Sequence, residues 1–63
     1  MRRVRDLRVM LKFASGIHYP YYPDTLGSAL ERFRGIHLGP KDEVLLQRHD
    51  PTKGWETTQR RVG

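Results

Sequence analysis

Alternation of apolar and charged side chains predicts that the chain begins with a β-strand over residues 7–14. Its apolar positions are Leu7, Val9, Leu11 and Phe13. Residues 17–22 are rich in aromatic side chains and predict a second strand. Pro20 has no N–H group to donate, so this strand belongs at a sheet edge. Ser15 and Gly16 between the two runs predict a turn and therefore a hairpin.

After Pro23 the apolar spacing changes to three and four residues, which predicts an amphipathic helix. Its apolar stripe consists of Leu26, Ala29, Leu30 and Phe33. Asp24 or Thr25 can cap the first turn, because either side chain can accept from free backbone amides. Gly35 is placed to end the helix in the left-handed conformation.

Two further strands are predicted, over residues 43–49 and 55–61, joined by a turn in which Pro51 and Gly54 supply the required backbone angles. Simple alternation in the last strand places Trp55 on one side and Arg60 on the other. We expect Trp55 to pack against the preceding strand as part of the core. Of the clustered tyrosines, we expect Tyr19 or Tyr21 to join the core and Tyr22 to be exposed.

The element order is therefore ββαββ, an α+β domain with one helix packed on one face of a small, mostly antiparallel sheet. We predict a single domain over residues 7–62, preceded by a flexible basic arm over residues 1–6. A chain of 63 residues is near the lower limit for independent folding, so there is little room for a deep pocket.

Charge is concentrated at the two ends of the chain. The net charge is +5, of which residues 1–12 supply +4 and Arg60 and Arg61 supply +2, while residues 13–59 carry −1. A positive field can attract nucleic acid, an anionic membrane or an acidic protein, although solubility alone would also explain it.

The absence of cysteine excludes disulfides and thiolate metal sites, and it fits an intracellular, cytoplasmic location. No apolar run approaches the ~18 residues of a membrane span, so we expect no membrane association.

Candidate catalytic patterns are weak. Neither serine lies in a nucleophile-elbow motif, and no glycine-rich loop opens the helix. The adjacent acids Asp42 and Glu43 would point to opposite faces of a strand. His18, His37 and His49 are too scattered to form a local metal-binding motif. We therefore expect a protein that is not an enzyme and that needs no metal or other cofactor.

Several segments together resemble the ubiquitin-like β-grasp class and, within it, interaction domains of the Phox-and-Bem type. These segments are residues 11–13, 22–26, 30–33, 42–46 and 50–55. The resemblance implies binding between a basic first strand and an acidic loop of another domain, with Lys12 as the basic residue. The acidic loop itself is not reproduced, because Pro51, Thr52 and Lys53 occupy its place. The same pattern also resembles small phage-encoded inhibitors of host RNA polymerase, which run strand, helix, strand, strand.

Two hypotheses for function follow from the basic ends. The first is sequence-tolerant binding of DNA or RNA, with cations holding phosphates and Tyr22 stacking on a base. The second is a protein-interaction, regulatory or inhibitor module, of the kind that phages or mobile elements encode, docking on an acidic protein surface. A homodimer through an edge strand is a further expectation. The candidate binding residues are Arg2, Arg3, Arg5, Arg8, Lys12, Tyr22, Arg60 and Arg61.

Both hypotheses require the cations from the two chain ends to converge on one surface of the sheet. This would follow if the last strand paired beside the first.

Overall fold

The computed structural model describes residues 6–63 and confirms the predicted ββαββ order. Its elements are β1 (Leu7–Lys12), β2 (His18–Tyr21), α1 (Leu26–Gly35), β3 (Glu43–Asp50) and β4 (Gly54–Val62). The predicted basic arm lies outside the described residues except for Asp6, whose backbone carbonyl accepts from His49 N at 2.7 Å.

The four strands form one sheet in the order β2-β1-β3-β4, and each neighbouring pair is antiparallel. Pro20 thus lies in an edge strand, as predicted. The condition under which the basic ends would converge is not met, because β4 pairs only with β3 and does not lie beside β1. Since β2 and β3 both run antiparallel to β1, they are parallel to each other, and α1 makes the crossover that such a pair requires.

The helix covers one face of this sheet, called here the helix face. The core consists of residues from α1, β1 and β3, namely Val9, Ala29, Phe33, Val44 and Leu46. Leu7, Leu11, Tyr21, Leu30, Ile36 and Leu38 pack partly buried around it. The molecule is only 17 Å along its shortest axis, which corresponds to one sheet and one helix layer.

The opposite side of the sheet is called here the open face, because no helix packs on it within residues 6–63. Strand alternation and register place on it the following side chains of β1, β3 and β4: Arg8, Met10, Lys12, Glu43, Leu45, Gln47, His49, Trp55, Thr57, Arg60 and Val62. Leu45 is buried here even without a helix above it. The open face therefore mixes apolar, polar and cationic side chains.

The helix begins as predicted and ends differently. The Thr25 hydroxyl accepts from Ser28 N at 3.0 Å, which identifies Thr25 as the N-cap. The left-handed end predicted at Gly35 is wrong, because Gly35 is the last helical residue and its φ angle is not positive. The extended residue Ile36 follows and packs against the core, so the chain leaves the helix without a left-handed residue.

The tyrosines divide as expected. Tyr21 is half-buried against the core, while Tyr19 is 59% exposed and Tyr22 is 45% exposed. Two residues of the predicted apolar stripes, Leu26 and Phe13, are exposed. Leu26 is the first residue of α1, and Phe13 follows the end of β1, so both lie at the margin of the contact between helix and sheet. Within residues 6–63 no helix is long and apolar enough to cross a membrane.

Candidate functional site

Arg8 is the most firmly positioned cation of the open face. Its Nε donates to Gln47 Oε1 at 2.7 Å, and Gln47 Nε2 donates in turn to Thr57 Oγ1 at 3.2 Å. Gln47 is only 8% exposed, so the side chain that orients Arg8 is itself buried. The Arg8 guanidinium also lies 4.2 Å from the centre of the Trp55 ring, a cation–π contact. The side chains that position Arg8, those of Gln47 and Trp55, are uncharged. The positive charge of Arg8 on the open face is therefore not neutralised by them.

Trp55 belongs to an aromatic cluster with His49 and Tyr22 beside this guanidinium. Trp55 contacts His49 in an edge-to-face arrangement, with ring centres 5.1 Å apart. Tyr22, from the chain after the opposite edge strand, approaches Trp55 with ring centres 6.4 Å apart and planes inclined by 57°. The predicted packing of Trp55 against the preceding strand is confirmed by its contact with His49. Trp55 is half-buried on the open face and lies outside the core cluster, so that part of the prediction is wrong.

Lys12 and Arg60 lie towards the other end of the open face, with Glu43 between them. Lys12 pairs with Glu43 in the β1–β3 register, and Arg60 Nε donates to Glu43 Oε2 at 2.8 Å. The Arg60 and Glu43 side chains are 63% and 23% exposed, so water screens this ion pair. Arg8, Lys12 and Arg60 therefore share one face that holds a single carboxylate among its strand residues.

Arg61 points to the other side of the sheet. Its guanidinium donates to the backbone carbonyls of Phe33 at 2.6 Å and of Ile36 at 3.2 Å. These carbonyls lie at the end of α1, where oxygens lack partners within the helix. The Arg61 side chain therefore caps the C-terminal end of α1. The prediction that it would lie beside the other cations is wrong. Arg2, Arg3 and Arg5 lie outside the described residues.

Neighbouring residues of a strand point to opposite faces, and a β-bulge in β4 decides which of the two arginines lies on the open face. The register shifts within β3: Gln47 pairs with Thr57, whereas the preceding residue, Leu46, pairs with Gln59. Thr58 is the extra residue, and its hydroxyl donates to the Leu46 carbonyl at 3.1 Å. The bulge reverses the alternation after Thr57. As a result, Arg60 shares a face with Trp55, although simple alternation predicted the opposite.

The β3–β4 turn brings Trp55 into position at the start of β4. The Asp50 carboxylate accepts from Thr52 N at 2.8 Å and from Lys53 N at 2.9 Å. These backbone hydrogen bonds lower the pKa of Asp50 below its usual value of 3.8. Gly54 has a φ of +82°, which confirms the predicted role of this glycine.

Three members of this site, Gln47, His49 and Trp55, were not identified as binding residues from the sequence. The positions on the open face could be recognised by counting alternate residues along the third strand. The contacts themselves could not, since the Arg8–Gln47 bond joins residues 39 positions apart.

A separate concave surface lies beside the helix. It is a cleft of about 410 Å³ lined by Tyr21, Ser28, Glu31, Arg32, Gly35 and Ile36. Arg32 lies over the Tyr21 ring at 4.4 Å, so its guanidinium is already engaged within the protein.

Within residues 6–63 no group of three histidine, aspartate or glutamate side chains is arranged to hold a metal ion. Comparison of the chain with protein-family models, with curated proteins and with solved structures found no match. The resemblances to the β-grasp interaction domains and to the phage inhibitors therefore stay predictions.

Proposed function

We propose that this protein binds nucleic acid on the open face of its sheet, without catalysing a reaction. The observation that carries the proposal is the sharing of one helix-free face by Arg8, Lys12 and Arg60. Phosphate groups are the ligands that such cations hold without reading base sequence. The net charge of +5 for the whole chain favours the same class of ligand.

Spacing along the face suits a chain of phosphates. Arg8 and Lys12 are four residues apart on one strand, which separates them by about 13 Å at ~3.3 Å per residue. Arg60 pairs with Leu45, whose other neighbour is Met10, so it lies across the sheet from the middle of that line. The three cations thus form a triangle and can contact separate phosphates of one strand.

Fluorescence anisotropy with labelled oligonucleotides at several salt concentrations tests the proposal. If three phosphates are contacted, log K should fall with log salt at a slope of about −2 for a single strand or −3 for a duplex. Arg8→Ala should reduce the magnitude of this slope by about 0.7–0.9.

Arg34→Ala is the matched control. Arg34 is an exposed arginine of α1, on the opposite side of the sheet, so its loss changes the net charge equally. We expect it to leave the slope almost unchanged. Absence of binding to any nucleic acid at low salt would refute the proposal.

A second candidate function, a protein-interaction module, is favoured by a different observation. Phe13, Ile17 and Tyr19 are all exposed near the β1–β2 turn, and the Phe13 and Tyr19 rings make an edge-to-face contact at 5.8 Å. Exposed apolar clusters of this kind often contact partners. A pull-down from nuclease-treated extract tests it. A partner that binds the wild type and is lost with Ile17→Ser would favour this function, whereas a partner lost on nuclease treatment would favour nucleic acid.

A further inference from the structure

The aromatic cluster of the open face has no role in the core. Trp55 contacts Tyr22, His49 and Arg8, whereas the core residues lie on the helix face. Tyr22 is 45% exposed although it carries a large ring. Solvent-exposed aromatic side chains beside a cation are typical of surfaces that bind flat ligands.

We propose that Tyr22, Trp55 and Arg8 form a base-stacking site, so that the ligand is single-stranded nucleic acid. This inference rests on the proposed function and adds the class of nucleic acid to it. Every base offers a flat face that can stack on an aromatic ring or on a guanidinium plane, whatever the sequence. The same end of the open face supplies both kinds of surface.

The state of Arg8 supports this assignment. Its Nε is bound to the amide oxygen of Gln47, and within residues 6–63 no carboxylate forms an ion pair with it. The Gln47 and Trp55 contacts hold the guanidinium in place before any ligand arrives. A positioned cation next to aromatic rings can contact a phosphate while the adjacent base stacks on Tyr22 or Trp55.

The shape of the open face favours a single strand over a duplex. A duplex keeps its bases stacked inside, and its major groove is read by a helix or a projecting β-ribbon. Here α1 lies on the other side of the sheet, and its C-terminal carbonyls are engaged by Arg61. A sheet that carries aromatic rings on a helix-free face can bind unstacked bases, as four-stranded RNA-binding sheets do.

Intrinsic fluorescence gives a direct test, because Trp55 is the only tryptophan of the chain. The probes are a 12-nucleotide oligothymidylate and a 12-base-pair duplex, titrated at low salt with anisotropy measured in parallel. We expect the single strand to quench Trp55 emission and to bind at least tenfold more tightly than the duplex. Inorganic polyphosphate, which has charge but no bases, should bind without this quenching.

Single substitutions distinguish the contribution of base stacking to affinity from the contribution of charge. Tyr22→Ala should weaken single-strand binding by about 5- to 150-fold, the range expected for the loss of one base–aromatic stack, and should leave the salt slope unchanged. Trp55→Phe should retain most of the affinity, because the ring is kept. Tyr19→Ala is the matched control, since Tyr19 is a tyrosine on the helix face that is more exposed than Tyr22. We expect no loss of affinity from it.

The outcomes distinguish the inference from the function on which it rests. Equal affinity for single strand and duplex, with unchanged Trp55 emission and no effect of Tyr22→Ala, would overturn the stacking site and leave nucleic-acid binding intact. Failure of every oligonucleotide to bind would overturn both. The Tyr22→Ala result and the emission of the wild type do not depend on whether a Trp55 variant folds.

Discussion

Arg60 and Arg61 are adjacent in sequence and identical in chemistry, yet their surroundings give them different roles. Arg60 forms an exposed ion pair with Glu43, whereas the half-buried Arg61 donates to two carbonyls at the end of α1. Hydrogen bonds from a charged donor to groups shielded from water contribute more to stability than exposed ion pairs do. The stability of the fold should therefore depend on Arg61 and the binding of ligand on Arg60.

Substitution of the two arginines tests this division. We expect Arg61→Ala to lower the free energy of unfolding by about 1.5–3 kcal/mol, because two carbonyls lose a charged donor. Arg60→Ala should cost less than about 1 kcal/mol. Urea unfolding followed by circular dichroism measures both values. Equal losses for the two variants would contradict the capping role of Arg61.

Asp50 should make the stability depend on pH at the acidic end. Its pKa is lowered in the folded state by hydrogen bonds from the Lys53 and Thr52 amides, so the folded protein favours the ionised carboxylate. Its stabilising contribution is therefore complete above the unfolded-state value of 3.8 and is lost as the pH falls through the folded-state pKa.

Melting temperatures of the wild type and Asp50→Asn check this dependence. We expect the variant to melt lower at pH 6, and the difference to shrink as the pH falls below about 3.8. Asp50→Ala serves as the control, because it removes the acceptor oxygen and should remain less stable at both pH values. A difference between wild type and Asp50→Asn that does not change with pH would contradict the role of the charge.

At the scale of the elements, the positions of strands and helix were predictable, and the details that form the site were not. Alternating apolar residues predicted the strands, and an apolar stripe predicted the helix. The structure contains each of these elements. Beyond Trp55, β4 contains Thr57, Thr58 and Gln59, which give no apolar pattern to fix the register. The bulge at Thr58 was therefore invisible to simple alternation, and with it the placement of Arg60 and Arg61.

The end of α1 and the start of β4 each hold a glycine, and the two glycines differ in conformation. Gly54 adopts a φ of +82° at the β3–β4 turn, whereas Gly35 is helical and its φ is not positive. A Cβ atom at either position would meet nothing within 4 Å, so the backbone angle alone decides the effect of a substitution. The left-handed conformation is unfavourable for alanine, and the helical one is favourable.

Alanine substitution should therefore act in opposite directions at the two sites. We expect Gly54→Ala to destabilise the protein by about 1–2 kcal/mol, because alanine is strained in the left-handed region. Gly35→Ala should stabilise it by about 0.4–1 kcal/mol through lower entropy of the unfolded chain. Thermal unfolding of the two variants gives both signs. Destabilisation by Gly35→Ala would show that this glycine needs a conformation other than helical.

At the scale of the whole molecule, the two faces of the sheet hold different kinds of side chain. The helix face holds the core and engages Arg61, while the open face holds Arg8, Lys12 and Arg60 with the aromatic cluster. The sequence indicated an excess of positive charge at both ends of the chain. Which of these cations share a surface depends on strand order and on the bulge, and both are properties of the assembled sheet.

If the open face is the binding surface, the ligand should stabilise the folded protein. Binding restricted to the folded state adds about 2.7 kcal/mol at a free ligand concentration 100 times Kd. For a domain of this size that corresponds to a rise of roughly 10–20 °C in Tm. We expect saturating oligothymidylate to produce this rise at low salt, and high salt to abolish it.

Comparison of variants shows whether the rise depends on the folded surface. At the same oligonucleotide concentration Arg8→Ala should show a smaller rise, because its Kd is weaker, while Arg34→Ala should match the wild type. An unchanged Tm at an oligonucleotide concentration that saturates binding would have a different meaning. The unfolded chain would then bind as well as the folded one, so that the distribution of basic residues along the chain, and not their arrangement on the sheet, would determine affinity.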